Sequence, residues 1–85
     1  NYPNPFNPST TIRYTIPKDA FVTITVYNTV GQEVKTLIAK EHKAGTFNVK
    51  WDGSRNDGSI VGSGMYIVRM SAGGFATARK VMFLQ

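Results

Sequence analysis

Cysteine is absent from the chain, so no disulfide framework, thiolate metal site or cysteine nucleophile is available. That absence does not select a compartment, since a cytosolic domain and one exported by a bacterium that seldom uses disulfides would share it. Histidine occurs once, at His42, in the polar stretch Lys40 to Gly45. The stretch reads as a loop, and an exposed loop imidazole is expected there rather than a general base. Acidic residues number five, and only Asp52 and Asp57 are close in sequence. Each precedes glycine, so turn formation accounts for them better than the paired carboxylates of glycoside hydrolysis. Ser9, Ser54, Ser59 and Ser63 lie in no nucleophile-elbow context. The ingredients of catalysis are missing, and a non-enzymatic domain is expected.

Long apolar runs are missing too. The stretch Val81-Met82-Phe83-Leu84 is far too short to span a bilayer. No n-region or h-region of a signal peptide opens the chain, which starts at Asn1. It reads as one module, residues 1–85, of a larger protein whose leader would lie elsewhere.

Charge is sparse, at 18% of residues, and unbalanced: ten Lys and Arg against five Asp and Glu give +5. Such an excess raises nucleic acid or an anionic surface as a partner. The basic residues are scattered, however, with clusters only at Lys40-Glu41-His42-Lys43 and Arg79-Lys80. Weak attraction to anionic polysaccharide or lipid headgroups fits that scatter better than nucleic-acid binding does.

What the chain does have is alternation. With 41% apolar residues it can build one small core, and a chain this short buries roughly 60–65% of its unfolded surface. Ile12, Tyr14 and Ile16 share one face of a first segment, and Val22, Ile24 and Val26 one face of a second. A third segment, Gln32 to Ala39, points Val34 inward. Its Leu37-Ile38 pair breaks the alternation and predicts a bulge or a sheet switch. Phe47, Val49 and Trp51 share a face of a fourth, and Tyr66, Val68 and Met70 of another. Gly73-Gly74 predicts a two-residue hairpin leading into a last strand, Phe75 to Leu84. No stretch has a sustained helical period. The pattern predicts a small antiparallel β-sandwich of about seven strands, counting a short fragment at Ile60-Val61. A monomer is expected, with Ile12, Tyr14, Val22, Ile24, Val26, Phe47, Val49, Trp51, Tyr66 and Val68 in or near its core.

Three features invite sharper readings. The opening "NYPNPFNPST" carries prolines at 3, 5 and 8, which bias it toward an extended path. It reads as a strap along a sheet edge anchored by Phe6, or as the end of a linker. The loop "DGSRNDGSIVGSG" faintly echoes a calcium-binding loop. Its sixth and twelfth residues are Asp57 and Ser63, where the helix–loop–helix pattern needs glycine and glutamate, so structural turns are preferred. The lone Trp51 suits a sugar-stacking platform in isolation, but Phe47 and Val49 beside it read as a core face.

These stretches together resemble a known family from end to end. "YPNPFNPSTTIRYTIP", "VTITVYNTVGQEVKTL", "AGTFNVKWDG", "GSIVGSGMYIVRM" and "RKVMFLQ" look like the C-terminal sorting domain of type IX secretion cargo from Bacteroidetes-like bacteria. The resemblance implies a small immunoglobulin-like sandwich without a cofactor. It further implies passage through the periplasm to the cell surface or medium, with an upstream cargo domain, an outer-membrane translocon and a cell-surface sortase as partners. In some members the sortase joins the cargo to an anionic lipopolysaccharide. The family's proline-rich opening falls on Pro3, Asn4, Pro5 and Phe6, and its mid-domain turn glycine on Gly31. Its Trp-Asp-Gly falls on Trp51, Asp52 and Gly53, its Ser-Gly-x-Tyr on Ser63, Gly64 and Tyr66, and its last-strand lysine on Lys80. Many members finish on a basic residue where this chain has Gln85. Trp-Asp-Gly and Ser-Gly-x-Tyr also occur in immunoglobulin-like domains of the flagellar hook-capping type. The alternative is therefore a structural spacer, or a carbohydrate-binding module appended to an extracellular enzyme.

Overall fold

The computed structural model describes residues 9–85. The strap reading of Pro3, Asn4, Pro5 and Phe6 lies outside the described residues. Six strands follow in order: β1 (Thr10–Ile16), β2 (Ala20–Tyr27), β3 (Glu33–His42), β4 (Gly45–Trp51), β5 (Gly64–Ala72) and β6 (Phe75–Phe83). They form two antiparallel sheets, one of β1 and β4 and one in the order β3-β2-β5-β6. The expected seventh strand reduces to one isolated bridge between Ser54 and Ile60. Two residues between glycine-rich turns cannot extend a ladder, so Val61 serves the core instead.

Alternation places the core where the sequence reading put it. Ile12, Tyr14 and Ile16 from β1 meet Val22, Ile24 and Val26 from β2, with Val68 and Met70 from β5. Trp51, Phe83 and Val61 close one end and are fully buried. Phe47, Val49 and Tyr66 are half-buried and pack against this cluster.

The Leu37-Ile38 irregularity is a bulge. Ile24 pairs with Ile38 and Thr25 with Thr36, leaving Leu37 without an opposite number. A second bulge, between Val26 and Tyr27, frees Val34 to turn inward. The β5–β6 connection is the expected Gly73-Gly74 pair, with Ala72 opposite Phe75. Gly73 alone of the two has positive φ, at 62°, the pattern of a II′ turn.

One expectation needs correction. The stretch from Lys40 is not a loop as far as Gly45, because β3 continues to His42 and only Lys43 and Ala44 connect it to β4. Pairing with Val22, Phe21 and Ala20 carries these polar residues into the ladder, so tertiary context overrides weak strand propensity. His42 is accordingly half-buried. It shares a 3.0 Å hydrogen bond with the Tyr14 hydroxyl, and its ring lies 4.3 Å from that of Phe47. Burial pushes the Tyr14 hydroxyl above its ordinary pKa.

Candidate functional site: the seat of the last strand

The motif residues within the described chain converge on one end of the sandwich, apart from Lys80. Trp51 ends β4 with its ring 5.1 Å from those of both Tyr66 and Phe83. Its indole N–H donates to the Ser54 carbonyl at 2.9 Å, so the buried ring carries no unpaired donor. With Trp51 fully enclosed, a sugar has no ring face to stack on. The core reading of Trp51 is the correct one.

Asp52 and Gly53 make the turn that frames this ring. The Asp52 carboxylate accepts from the Ser54 N–H at 3.0 Å, and hydrogen bonding from the Ser54 side chain, then from its N–H, holds the Asp52 pKa below the ordinary range. Gly53 has φ of +84°, and a Cβ there would fall inside the Phe83 ring. Only glycine lets the backbone pass so close beneath the last strand. The Gly53 carbonyl then accepts from Val61 at 2.9 Å. Asp57 repeats the device, accepting from Ser59 N–H at 2.9 Å and from its hydroxyl at 2.6 Å, and its pKa is lowered too.

The Ser-Gly-x-Tyr residues grip the chain beyond β6. The Ser63 hydroxyl accepts from the Gln85 backbone N–H at 2.9 Å, while the Gln85 side-chain amide donates to Val61 at 2.6 Å. Gly64 opens β5 opposite Phe83. The Tyr66 hydroxyl donates to the Gly62 carbonyl at 2.7 Å, pinning the loop from below.

Gly31 sits in the β2–β3 turn at the same end. Its φ is +88°, and its N–H donates to the Asn28 carbonyl at 3.1 Å. The Asn28 side chain accepts from the Val30 and Gln32 N–H groups. Asn28, Gln32, Glu33, Val34, Arg55, Val61 and Tyr66 enclose a polar cleft of about 380 Å³ between that turn and the β4–β5 loop. Lys80 stands apart, exposed in the middle of β6.

Three participants were not singled out in sequence as partners of the motif: Phe83, Gln85 and Asn56. Phe83 shares its parity with Val81 along β6, a usable hint, but its contact with Gly53 spans thirty positions. Asn56 donates its N–H to the Val34 carbonyl at 2.9 Å and accepts from the Thr36 N–H at 3.1 Å. It also reaches Glu33 at 3.0 Å. The loop is thereby fastened over the outer edge of β3, at the second bulge.

The two turn carboxylates give a pH dependence with a definite sign. Both have folded pKa values below their unfolded ones, so the stability they supply is present above the unfolded value and lost as pH falls through the folded one. Melting temperature should fall as pH drops from about 5 to about 2. In circular dichroism melts, Asp52→Asn with Asp57→Asn should flatten that acid limb. An equally steep limb in the double variant would assign it to other carboxylates.

What the arrangement does chemically is clamp. Loop hydrogen bonds and three aromatic rings hold the final strand against the loop end. Among the described residues, no three His, Cys, Asp or Glu side chains come together as a metal site would require. No curated protein matches the chain. The crystal structure of FlgD from P. aeruginosa superimposes with a TM-score of 0.65 at 22% identity, a likeness of fold. The match covers 89% of this chain and 59% of that one, so the chain spans less than two thirds of that protein's length. The model of the FlgD Ig-like domain matches residues 7–74, most of the chain. The chain belongs to the FlgD Ig-like domain family.

Proposed function

We propose that this domain is a non-catalytic C-terminal sorting module, which directs an upstream cargo protein across the outer membrane through the type IX secretion system. The observation that carries the reading is the convergence of Trp51, Asp52, Gly53, Ser63, Gly64 and Tyr66 around Phe83 and Gln85. The motif residues that suggested the sorting family share one task, presenting the last strand in a fixed position. A translocon that reads a terminal strand needs that strand folded and accessible, and β6 is exposed from Phe75 to Lys80. Lys80 projects from its outer face, within reach of a receptor.

Membership in the FlgD Ig-like family supports a second reading, a structural spacer within an extracellular protein. Export separates the two. Residues 1–85 fused behind a periplasmic reporter should reach the surface in a host carrying the secretion system. Lys80→Ala should reduce delivery with melting changed by no more than about 0.5 kcal/mol. Equal delivery by Lys80→Ala removes Lys80 from the signal, whereas a wild-type fusion retained in the periplasm favours the spacer.

A further inference from the structure

The sheet edges of this domain are not treated alike. Asn56 and its loop cover the outer edge of β3. Among the described residues, no strand pairs with the outer edge of β1 or of β6. These two edges face each other across the open side of the sandwich. They run antiparallel, because the Thr10 hydroxyl reaches the Met82 carbonyl at 3.4 Å while Arg79 reaches the Arg13 carbonyl at 2.6 Å.

Those two contacts also reveal which backbone groups look into the gap. The N–H and C=O of a residue in an antiparallel ladder point to the same side, and the side alternates along the strand. The Arg13 carbonyl points into the gap, so Thr11 and Thr15 do likewise. The Met82 carbonyl points there too, and with it Ala76, Ala78 and Lys80. The groove between the edges has a volume of about 450 Å³. Its floor is apolar, made by Ile12, Tyr14, Ile24, Val68 and Met70, and Phe75 stands 44% exposed at one wall. Among the described residues, Arg13 and Arg79 are the charged ones that line it, and no carboxylate does.

We infer that this groove is a docking slot for an extended, acidic peptide segment of a partner protein, which enters as a short strand at the wide end, between residues 13–16 of β1 and 75–79 of β6, because the Thr10–Met82 contact closes the other end. Exposed edges supply main-chain hydrogen bonds to such a guest, and the apolar floor takes alternate side chains. The guest must be acidic because Arg79, which now caps a lone carbonyl, gains a charge-assisted partner from a carboxylate. A second copy of this chain is disfavoured by its +5 charge. Residues 1–8 carry no carboxylate, and three of them are prolines without a donor. The inference is independent of the export reading, because it concerns binding by the isolated domain.

The test titrates isotope-labelled domain, residues 1–85, with a synthetic peptide of alternating valine and threonine in which two threonines are replaced by glutamate. Amide signals of Arg13, Thr15, Ala76 and Ala78 should shift, and those of β3 should not. Arg79→Ala should weaken binding about tenfold or more, and the matching lysine peptide should not bind. Ala78→Pro removes a donor that faces the groove and not the β5 ladder, so the domain keeps its fold while binding is lost. The proposal is overturned if the acidic peptide leaves these amides unmoved, or if it binds Arg79→Ala and Ala78→Pro as well as wild type. It is equally overturned if binding appears only after residues 1–8 are deleted, which would make that segment the occupant, or if the labelled domain alone dimerises through the same amides.

Discussion

Trp51→Ala should cost about 3–5 kcal/mol of unfolding free energy, read from urea denaturation followed by far-ultraviolet circular dichroism. A small domain has only about 5–15 kcal/mol in total, so the variant should stand near its unfolding transition at room temperature. The magnitude has two sources. The ring is fully buried between Tyr66 and Phe83, and removing it leaves a cavity that two rigid aromatic neighbours cannot fill. Its N–H also satisfies the Ser54 carbonyl, which would be stranded. Trp51→Phe keeps an aromatic ring while removing the donor and part of the volume, and should cost less, about 1–3 kcal/mol, chiefly for the unpaired carbonyl. A Trp51→Ala protein that unfolds at the wild-type urea midpoint would mean the end of the sandwich is not packed as described.

Gly53→Ala is expected to lose about 2–5 kcal/mol, combining strain at positive φ with overpacking against Phe83. Gly58→Ala provides the control. Its φ is similar, at +91°, but a Cβ there meets nothing within 4 Å, so it should show the backbone term alone, about 1–2 kcal/mol. The difference between the two variants reports the Phe83 contact. Adding Phe83→Leu to Gly53→Ala should recover part of that difference, since the two residues are in direct contact and their effects do not add. Equal losses at Gly53 and Gly58 would show that the close approach contributes nothing.

How much of this was legible in the sequence depended on the range of the interaction. Val22, Ile24 and Val26 announced β2 because a strand between two neighbours, with one face in the core, alternates strictly. Gly73-Gly74 and the Leu37-Ile38 irregularity were equally local, and both occurred where expected. The run from Lys40 to His42 misled, since nothing in three polar residues reports that Val22, Phe21 and Ala20 lie opposite to hold them extended. At the loop end, Trp51, Asp52 and Gly53 were recognisable as a motif, whereas their shared purpose was not. Gly53 must be glycine because of Phe83, and Ser63 engages Gln85, pairs set together only by the closure of the whole sandwich. The groove was illegible for a similar reason. Thr11, Arg13, Ala76 and Ala78 look like ordinary strand residues until the fold leaves their edges facing one another.

The antiparallel placement of β1 and β6 also decides how the domain responds to tension. Thr10 and Met82 lie side by side, so force applied to the chain at these positions acts from the same end of the molecule. Pulled apart, β1 loses its pairing with β4 beginning at Trp51, and β6 loses its pairing with β5 beginning at Gly64. Each ladder then opens like a zipper, one pair carrying the load at a time, and no row of hydrogen bonds has to shear together. Tension between Thr10 and Met82 would therefore take the two ladders apart stepwise, pair by pair.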